Sequence, residues 1–232
     1  MNRYSVIREK NPREILLLRG SGCRYRRCAF CDYHLDACSD EAANIALARA
    51  EMSKVTGEFH HLEVINSGSF PELGDTILND LITLCKEKQI HTLHFECHYL
   101  YRHQIPKWRE RFASVGTKLK IKIGVESFDY DYRENVLNKG IKEPSPAVIA
   151  EMFDECCLLF GLSGQTKEGM ISDIDTGLRY FERVCVNVFV ENQTGIKPDA
   201  EVIRIFAQNV MPRYIDDPRV DILMENTDFG VG

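Results

Sequence analysis

Cys23, Cys28 and Cys31 form the pattern C-x4-C-x2-C inside residues 20–34, Gly-Ser-Gly-Cys-Arg-Tyr-Arg-Arg-Cys-Ala-Phe-Cys-Asp-Tyr-His. Three thiolates this close on a loop can converge on one metal centre. A structural zinc site wants four protein ligands, so three cysteines suit it poorly. They suit a [4Fe–4S] cluster whose fourth iron is left open, since cluster irons are held by Cys thiolates. An open iron can chelate an amino and a carboxylate group together. The plainer alternative is a trio of free thiols. Arg24, Arg26 and Arg27 lie in the same loop. They can attract an acidic electron-donor protein or grip a phosphate, or simply face water.

A second set of reactive groups recurs at alternate positions. His94, Glu96 and His98 share one phase, as do Lys120, Lys122, Gly124 and Glu126, and Asn187, Phe189 and Glu191. The opposite phases, such as Leu93/Phe95/Cys97 and Ile121/Ile123/Val125, are apolar. In a barrel, alternate strand residues point inward and chemistry sits at the carboxyl ends. The apolar phase is then expected to meet outer helices and the polar phase to line a cavity. Buried polar groups need partners, so the cavity holds a polar ligand or the groups pair with each other, Lys122 with Glu126 for instance. A carboxylate at Glu96 or Glu191 can accept N–H groups of such a ligand. Lys122 or an arginine can hold a phosphate, and His98 and Asn187 complete the lining. Asp228 in the acidic tail is a further candidate.

The elements that must position these groups follow from hydrophobic pattern. Residues 15–19, Ile-Leu-Leu-Leu-Arg, are an apolar run that ends in Arg19 and is closed by Gly20, which reads as a strand buried on both faces. The cysteine loop leaves its carboxyl end. Further strands are expected at 61–66, 92–97, 119–125, 157–162 and 184–190. Helices are expected at 39–54 from Ser39, and at 75–88, 106–113, 130–138, 145–156, 170–183 and 199–208. On this reading Cys85 and Cys156 lie in helices and Cys97 and Cys185 in strands. Strands alternating with helices imply βαβ units and a parallel sheet. The expected architecture is α/β, a single domain over 1–232, with 212–232 as a final strand or flap.

Composition narrows the setting. The chain has 232 residues, 44% of them hydrophobic, nine cysteines and a net charge of −6. No apolar run follows Met1 and none approaches membrane-spanning length. Many thiols without a secretory signal point to a reducing, cytoplasmic setting. The negative balance disfavours a stable nucleic-acid partner.

With these features in place, the chain resembles the radical S-adenosylmethionine (SAM) enzymes over roughly residues 14–195. Cys23, Cys28 and Cys31 match the cluster triad, with aromatic Phe30 before the last cysteine. Ser67-Gly68-Ser69 falls where the family's second-strand turn holds the amino group of SAM through backbone carbonyls. Gly124-Val125-Glu126-Ser127 looks like the fourth-strand motif whose polar side chains contact SAM. Residues 159–166, with Gly161 and Gly164, resemble the fifth-strand glycine motif near the adenine. The triad spacing is one residue longer than the commoner C-x3-C-x2-C, and serines replace the first Gly and the Glu of the second-strand turn. The resemblance implies a partial (β/α)6 TIM-like barrel of parallel strands. It also implies a [4Fe–4S] cluster, SAM and a 5′-deoxyadenosyl radical that abstracts hydrogen, with a flavodoxin or ferredoxin as electron donor.

The scattered remaining cysteines speak against a second cluster, and the length leaves no room for an RNA-binding domain, so a small nucleotide or nucleoside substrate is expected. Over the whole chain the resemblance is to the queuosine-salvage radical SAM lyases, which release the 7-deazaguanine base queuine from queuosine 5′-phosphate after hydrogen abstraction from the ribose; it implies that Glu96 or Glu191 anchors the guanine-like base and Lys122 or an arginine the phosphate. Other expectations are a glycyl-radical activase, a tRNA-modifying enzyme, or an iron–sulfur electron carrier or sensor without SAM. The Gly68, Glu126 and Gly161–Gly164 motifs argue against the carrier or sensor.

Overall fold

The computed structural model describes residues 2–224. The chain is α/β, and its strands run as a partial barrel with helices between them. It divides into two compact units, residues 1–26 with 33–122, and residues 27–32 with 123–232.

The first unit opens with β1 (Tyr4–Ile7), antiparallel to β2 (Arg13–Leu18). Then come α1 (Glu41–Met52), β3 (His61–Asn66), α2 (Asp75–Glu87), β4 (Thr92–Glu96) and α3 (Ile105–Ala113). β2, β3 and β4 are parallel neighbours, and β4 pairs in parallel with Lys118–Lys122, the first part of β5 (Lys118–Glu126). α1 is capped by Asp40, whose side chain accepts the Ala43 N–H, so the helix begins beyond the expected Ser39. β1 is an addition to the expected strands; its four residues, Tyr-Ser-Val-Ile, are too short to show alternation.

The expected apolar phase is buried. Leu62, Val64, Leu93, Phe95, Leu119 and Ile121 are each 3% exposed or less. Phe95 stacks on Phe70 at 4.9 Å and meets Phe112 of α3 at 5.9 Å, so this face packs on helix. Burying one such side chain stabilises by about 1.5–3 kcal/mol.

The second unit carries the rest of β5, then α4 (Pro146–Ala150), β6 (Glu155–Phe160), α5 (Lys167–Tyr180), β7 (Arg183–Val188), α6 (Ala200–Ile205) and β8 (Val220–Leu223). β6, β7 and β8 are parallel neighbours. β8 supplies a strand within the expected 212–232 segment. The expected helix over 145–156 shrinks to α4, and Cys156 lies in β6, not in a helix. The cause is pairing: Cys156 registers with Val184 and Cys157 with Cys185, and every residue of β6 is buried. The expected 130–138 helix is a single π turn, Tyr132–Val136. No described helix is long and apolar enough to cross a membrane.

Candidate active site

Each half of the motif set is built within one unit. In the first, β3 ends in the Ser67–Ser69 turn. Gly68 N–H returns to Asn66 O at 2.7 Å. A side chain at Gly68 would strike the Glu72 carboxylate and meet the Cys23 backbone at 3.1 and 3.2 Å, so the turn packs closely on both. Ser69 is fully engaged. Its carbonyl accepts Asn66 Nδ2 at 3.1 Å and Glu72 N–H at 2.8 Å, and its hydroxyl accepts His98 N–H at 2.9 Å. Two buried oxygens beside it, Asn66 Oδ1 and Ser67 Oγ, have no partner among the described residues. Leaving such groups unmade is costly, so the turn offers acceptors to an incoming donor such as an ammonium.

The polar phase of the same unit closes on itself. Glu63 on β3 pairs with Lys122 and with Arg13 Nε at 2.5 Å, all nearly buried. Burial alone would raise the Glu63 pKa, but Lys122, Arg13 and His94 hold it well below the usual carboxylate range. His61 and His94 touch through their Nε2 atoms at 2.6 Å. Lys122 is thus paired with Glu63, not with Glu126. Glu96 ends β4, half-buried and in register with Lys122. His98 follows it, accepting Leu100 N–H at Nδ1 and stacking on Tyr25.

In the second unit, Glu126 ends β5 with φ of +69°, a left-handed backbone rare outside glycine. Such strain costs about 1–3 kcal/mol and gathers at functional positions. Its carboxylate accepts Lys139 Nζ at 2.6 Å. Burial works against the ammonium, but Glu126 and the Cys28 and Cys31 thiols outweigh it and raise the Lys139 pKa. Lys139 Nζ also lies 5.4 Å from the Phe30 ring centroid. Loop 27–32 is braced from two sides. Ala29 N–H donates to Leu137 O at 2.9 Å, Asn138 Nδ2 to Arg27 O at 2.8 Å and Asn192 Nδ2 to Phe30 O at 2.7 Å. Phe30 packs on an apolar cluster of Leu137, Leu159, Leu162 and Phe189.

Ser127 is committed to the scaffold, donating to Asp173 Oδ2 at 2.8 Å and accepting Asp129 N–H at 3.1 Å. Gly161 has φ of +96°, and a side chain there would press on Ile203 at 2.9 Å. Gly164 follows in the same turn, which Gln165 closes by accepting Leu162 N–H and donating to Leu159 O. Asn187 is half-buried in β7. Glu191 lies beyond β7, exposed and paired with Lys197. Asp228 lies outside the described residues.

The donor set fits an iron–sulfur cluster chemically. Cys23, Cys28 and Cys31 are half-exposed on the loop, as is Cys38, whereas Cys85, Cys97, Cys156, Cys157 and Cys185 are buried. Burial pushes the Cys85 thiol up to about 12 and Cys97 higher still, which makes both poor thiolate ligands. A fixed cation such as Lys139 favours the anionic thiolates of Cys28 and Cys31. Among the described residues no three His, Cys, Asp or Glu side chains are already drawn together as a metal-ligand set. Arg24, Arg26 and Arg27 are exposed.

Three residues that shape the candidate site escape motif reading, and a fourth does not. Glu63, Lys139 and Asp173 sit where only strand register or a loop return places them. Glu72 was legible, since Ser69-Phe-Pro-Glu72 is a helix-entry pattern with an acid three residues on.

Among solved structures, the chain is similar to queuine lyase from Clostridium spiroforme bound to SAM and queuine. The identity is 40% and the TM-score 0.94, over 100% of this chain and 99% of that one. It is also similar to Streptococcus suis SuiB, at 15% identity and a TM-score of 0.57 over 90% of this chain and 49% of SuiB. SuiB bound to S-adenosylmethionine gives 14% and 0.54, over 91% of this chain and 50% of SuiB. At that identity the likeness to SuiB shows the fold alone. No protein-family model and no curated protein matches the sequence.

Proposed function

The chain belongs to the queuine lyases of the radical SAM superfamily, and from that membership we propose that it binds SAM and a [4Fe–4S] cluster and releases queuine from queuosine 5′-phosphate. The observation that carries this is the full-length likeness to queuine lyase. We read residues 1–232 as one catalytic domain because that likeness spans them all.

Cys23, Cys28 and Cys31 would hold the cluster. When bound, it supplies the electron that splits SAM into methionine and the hydrogen-abstracting 5′-deoxyadenosyl group. The Ser67–Gly68 turn, with its unpartnered acceptors, receives the amino group of SAM. Glu126 faces a hydroxyl or amine of SAM while Lys139 holds its carboxylate in place. The Gly161–Gly164 turn lies by the adenine, and Phe30 and its apolar neighbours keep water from the reacting atoms. Glu96 anchors the base. Glu191 is the weaker candidate, because its carboxylate is 55% exposed and already paired. Lys122 is held by Glu63, so an arginine is the better phosphate ligand. His98 and Asn187 line the substrate side. An acidic flavodoxin or ferredoxin delivers electrons at the exposed Arg24, Arg26 and Arg27, in a reducing cytoplasm that suits nine free cysteines.

The test is anaerobic incubation of the reduced, reconstituted protein with SAM and queuosine 5′-phosphate, with products read by mass spectrometry. Queuine and 5′-deoxyadenosine are expected together. SAM cleavage without free queuine rejects the substrate.

A further inference from the structure

Glu72 lies in the short turn Phe70–Leu73 that leads into α2. Its carboxylate collects donors from three separate stretches of the first unit. Oε2 accepts the Ser69 N–H at 2.5 Å. Oε1 accepts the Arg24 N–H at 2.5 Å and the Tyr101 O–H at 3.0 Å. The Glu72 carbonyl accepts Ser21 N–H at 3.4 Å. These partners belong to the turn after β3, to the cysteine loop on both sides of Cys23, and to the segment after β4. Burial and the Glu72 charge push the Tyr101 pKa up to about 12, so its hydroxyl stays a donor at neutral pH.

A helix cap explains only the bond to Ser69. The bonds to Arg24 and Tyr101 lie outside the turn and do nothing for α2. Hydrogen bonds to an ionised acceptor are short and roughly twice as strong as neutral ones. Two peptide planes bound to one rigid carboxylate therefore have their spacing fixed. The spacing matters here because Gly68 lies between the Glu72 carboxylate, which a side chain at Gly68 would strike first, and the Cys23 backbone. The same stretches are tied again by His98, which donates to Ser69 Oγ and stacks on Tyr25 at 4.6 Å.

We infer that Glu72 is a positioning residue that registers the Cys23 arm of the cysteine loop against the Ser67–Ser69 turn, and so sets how tightly SAM is held. This rests on the function proposed above. Glu72 takes no part in the chemistry and touches neither the substrate nor the reacting atoms. Its effect passes through the backbones of Arg24 and Ser69.

The test compares anaerobically reconstituted wild type, Glu72→Gln and Tyr101→Phe. Iron per chain, melting temperature, and KM and kcat for SAM are measured from 5′-deoxyadenosine formed without nucleotide. Glu72→Gln keeps the side-chain volume but turns one acceptor into a donor that faces a peptide N–H. Its KM for SAM is expected to rise roughly tenfold or more. The change that SAM induces in the electron paramagnetic resonance spectrum of the reduced protein is expected to shrink with it. Tyr101→Phe removes one donor of three and raises KM less. An unchanged KM and an unchanged SAM response in Glu72→Gln overturn the inference, even if the melting temperature falls. If Glu72→Gln does not fold, Tyr101→Phe decides: a KM above wild type supports the inference and an equal one overturns it. Wild type that splits SAM yet frees no queuine would refute the proposed substrate while leaving this readout intact.

Discussion

The ammonium of Lys139 lies 2.6 Å from the carboxylate of Glu126, and both side chains are nearly buried. A buried pair resists loss of one partner more than loss of both, because the survivor is an uncompensated charge. Lys139→Met should therefore destabilise the chain by about 3 kcal/mol, and adding Glu126→Gln should recover part of that loss. Denaturant titration of the metal-free proteins measures both. Additive losses would mean that the pair does not act as a unit.

Glu126 alone carries a second expectation. Its strained backbone ends β5, and its carboxylate is proposed to meet SAM. Glu126→Ala should weaken SAM binding by about 1.5–3 kcal/mol, roughly ten- to a hundredfold, with iron content retained. Calorimetry with SAM on the reconstituted protein reads the change. An unaltered affinity would move Glu126 to a scaffold role beside Lys139.

Cys23, Cys28, Cys31 and Cys38 are half-exposed and the other five cysteines buried. Replacing Cys23, Cys28 or Cys31 by Ala should remove most iron and all SAM cleavage, if these three sulfurs hold the cluster as proposed. Cys85→Ala should keep both, because that thiol is buried and far from its thiolate form. Iron per chain and 5′-deoxyadenosine yield are the measurements. Iron loss in Cys85→Ala would show the ligand set to be wrong.

What was legible in the sequence is what local pattern encodes. The six strands expected from the sequence, β2 to β7, are apolar runs or clean alternations, and the motif loops follow their carboxyl ends as expected. Which charged groups meet is encoded in register instead. The phase of Lys122 is plain from residues 118–126, but its partner Glu63 lies two strands away, and only the pairing of β3, β4 and β5 brings them together. Cys156 was misplaced because α4 ends early and an apolar run reads as helix or strand alike until a partner strand is known. Lys139 follows a turn with no periodicity, so nothing local marks it as the partner of Glu126.

Asp173 gives the second unit a pH signature. Burial raises its pKa from the ordinary 3.8 to about 6, against the opposing hydrogen bonds from Phe128 N–H and the Ser127 hydroxyl; Asp129 adds to the rise and Arg133 lowers it. A carboxyl whose folded pKa is raised contributes stability below its unfolded pKa and loses it as pH rises through about 6. The loss amounts to roughly 3 kcal/mol across that window. Asp173→Asn removes the titration and keeps an acceptor for Phe128. The stability of wild type relative to the variant should therefore fall between pH 4 and 7, measured by denaturation at several pH values. A constant difference would mean that Asp173 does not titrate there.

Glu96 supplies the sharpest test of substrate choice. It ends β4, where a barrel enzyme keeps its chemistry, and it is half-buried. A guanine-type edge presents two adjacent N–H donors, which one carboxylate can accept together, whereas adenine lacks that pair. Glutamine at the same position fills the same volume but offers one acceptor and one donor, so one N–H of the base meets another N–H. The cost is on the order of 1–3 kcal/mol in binding, or roughly five- to a hundredfold in KM for the nucleotide. The residues assigned to SAM lie on other strands, so 5′-deoxyadenosine should still form without substrate. The measurement is Glu96→Gln with queuosine 5′-phosphate, following free queuine and 5′-deoxyadenosine separately. Queuine release should fall at limiting nucleotide while SAM cleavage persists. Release at the wild-type rate would remove Glu96 from base recognition and pass the role to Glu191 or Asp228.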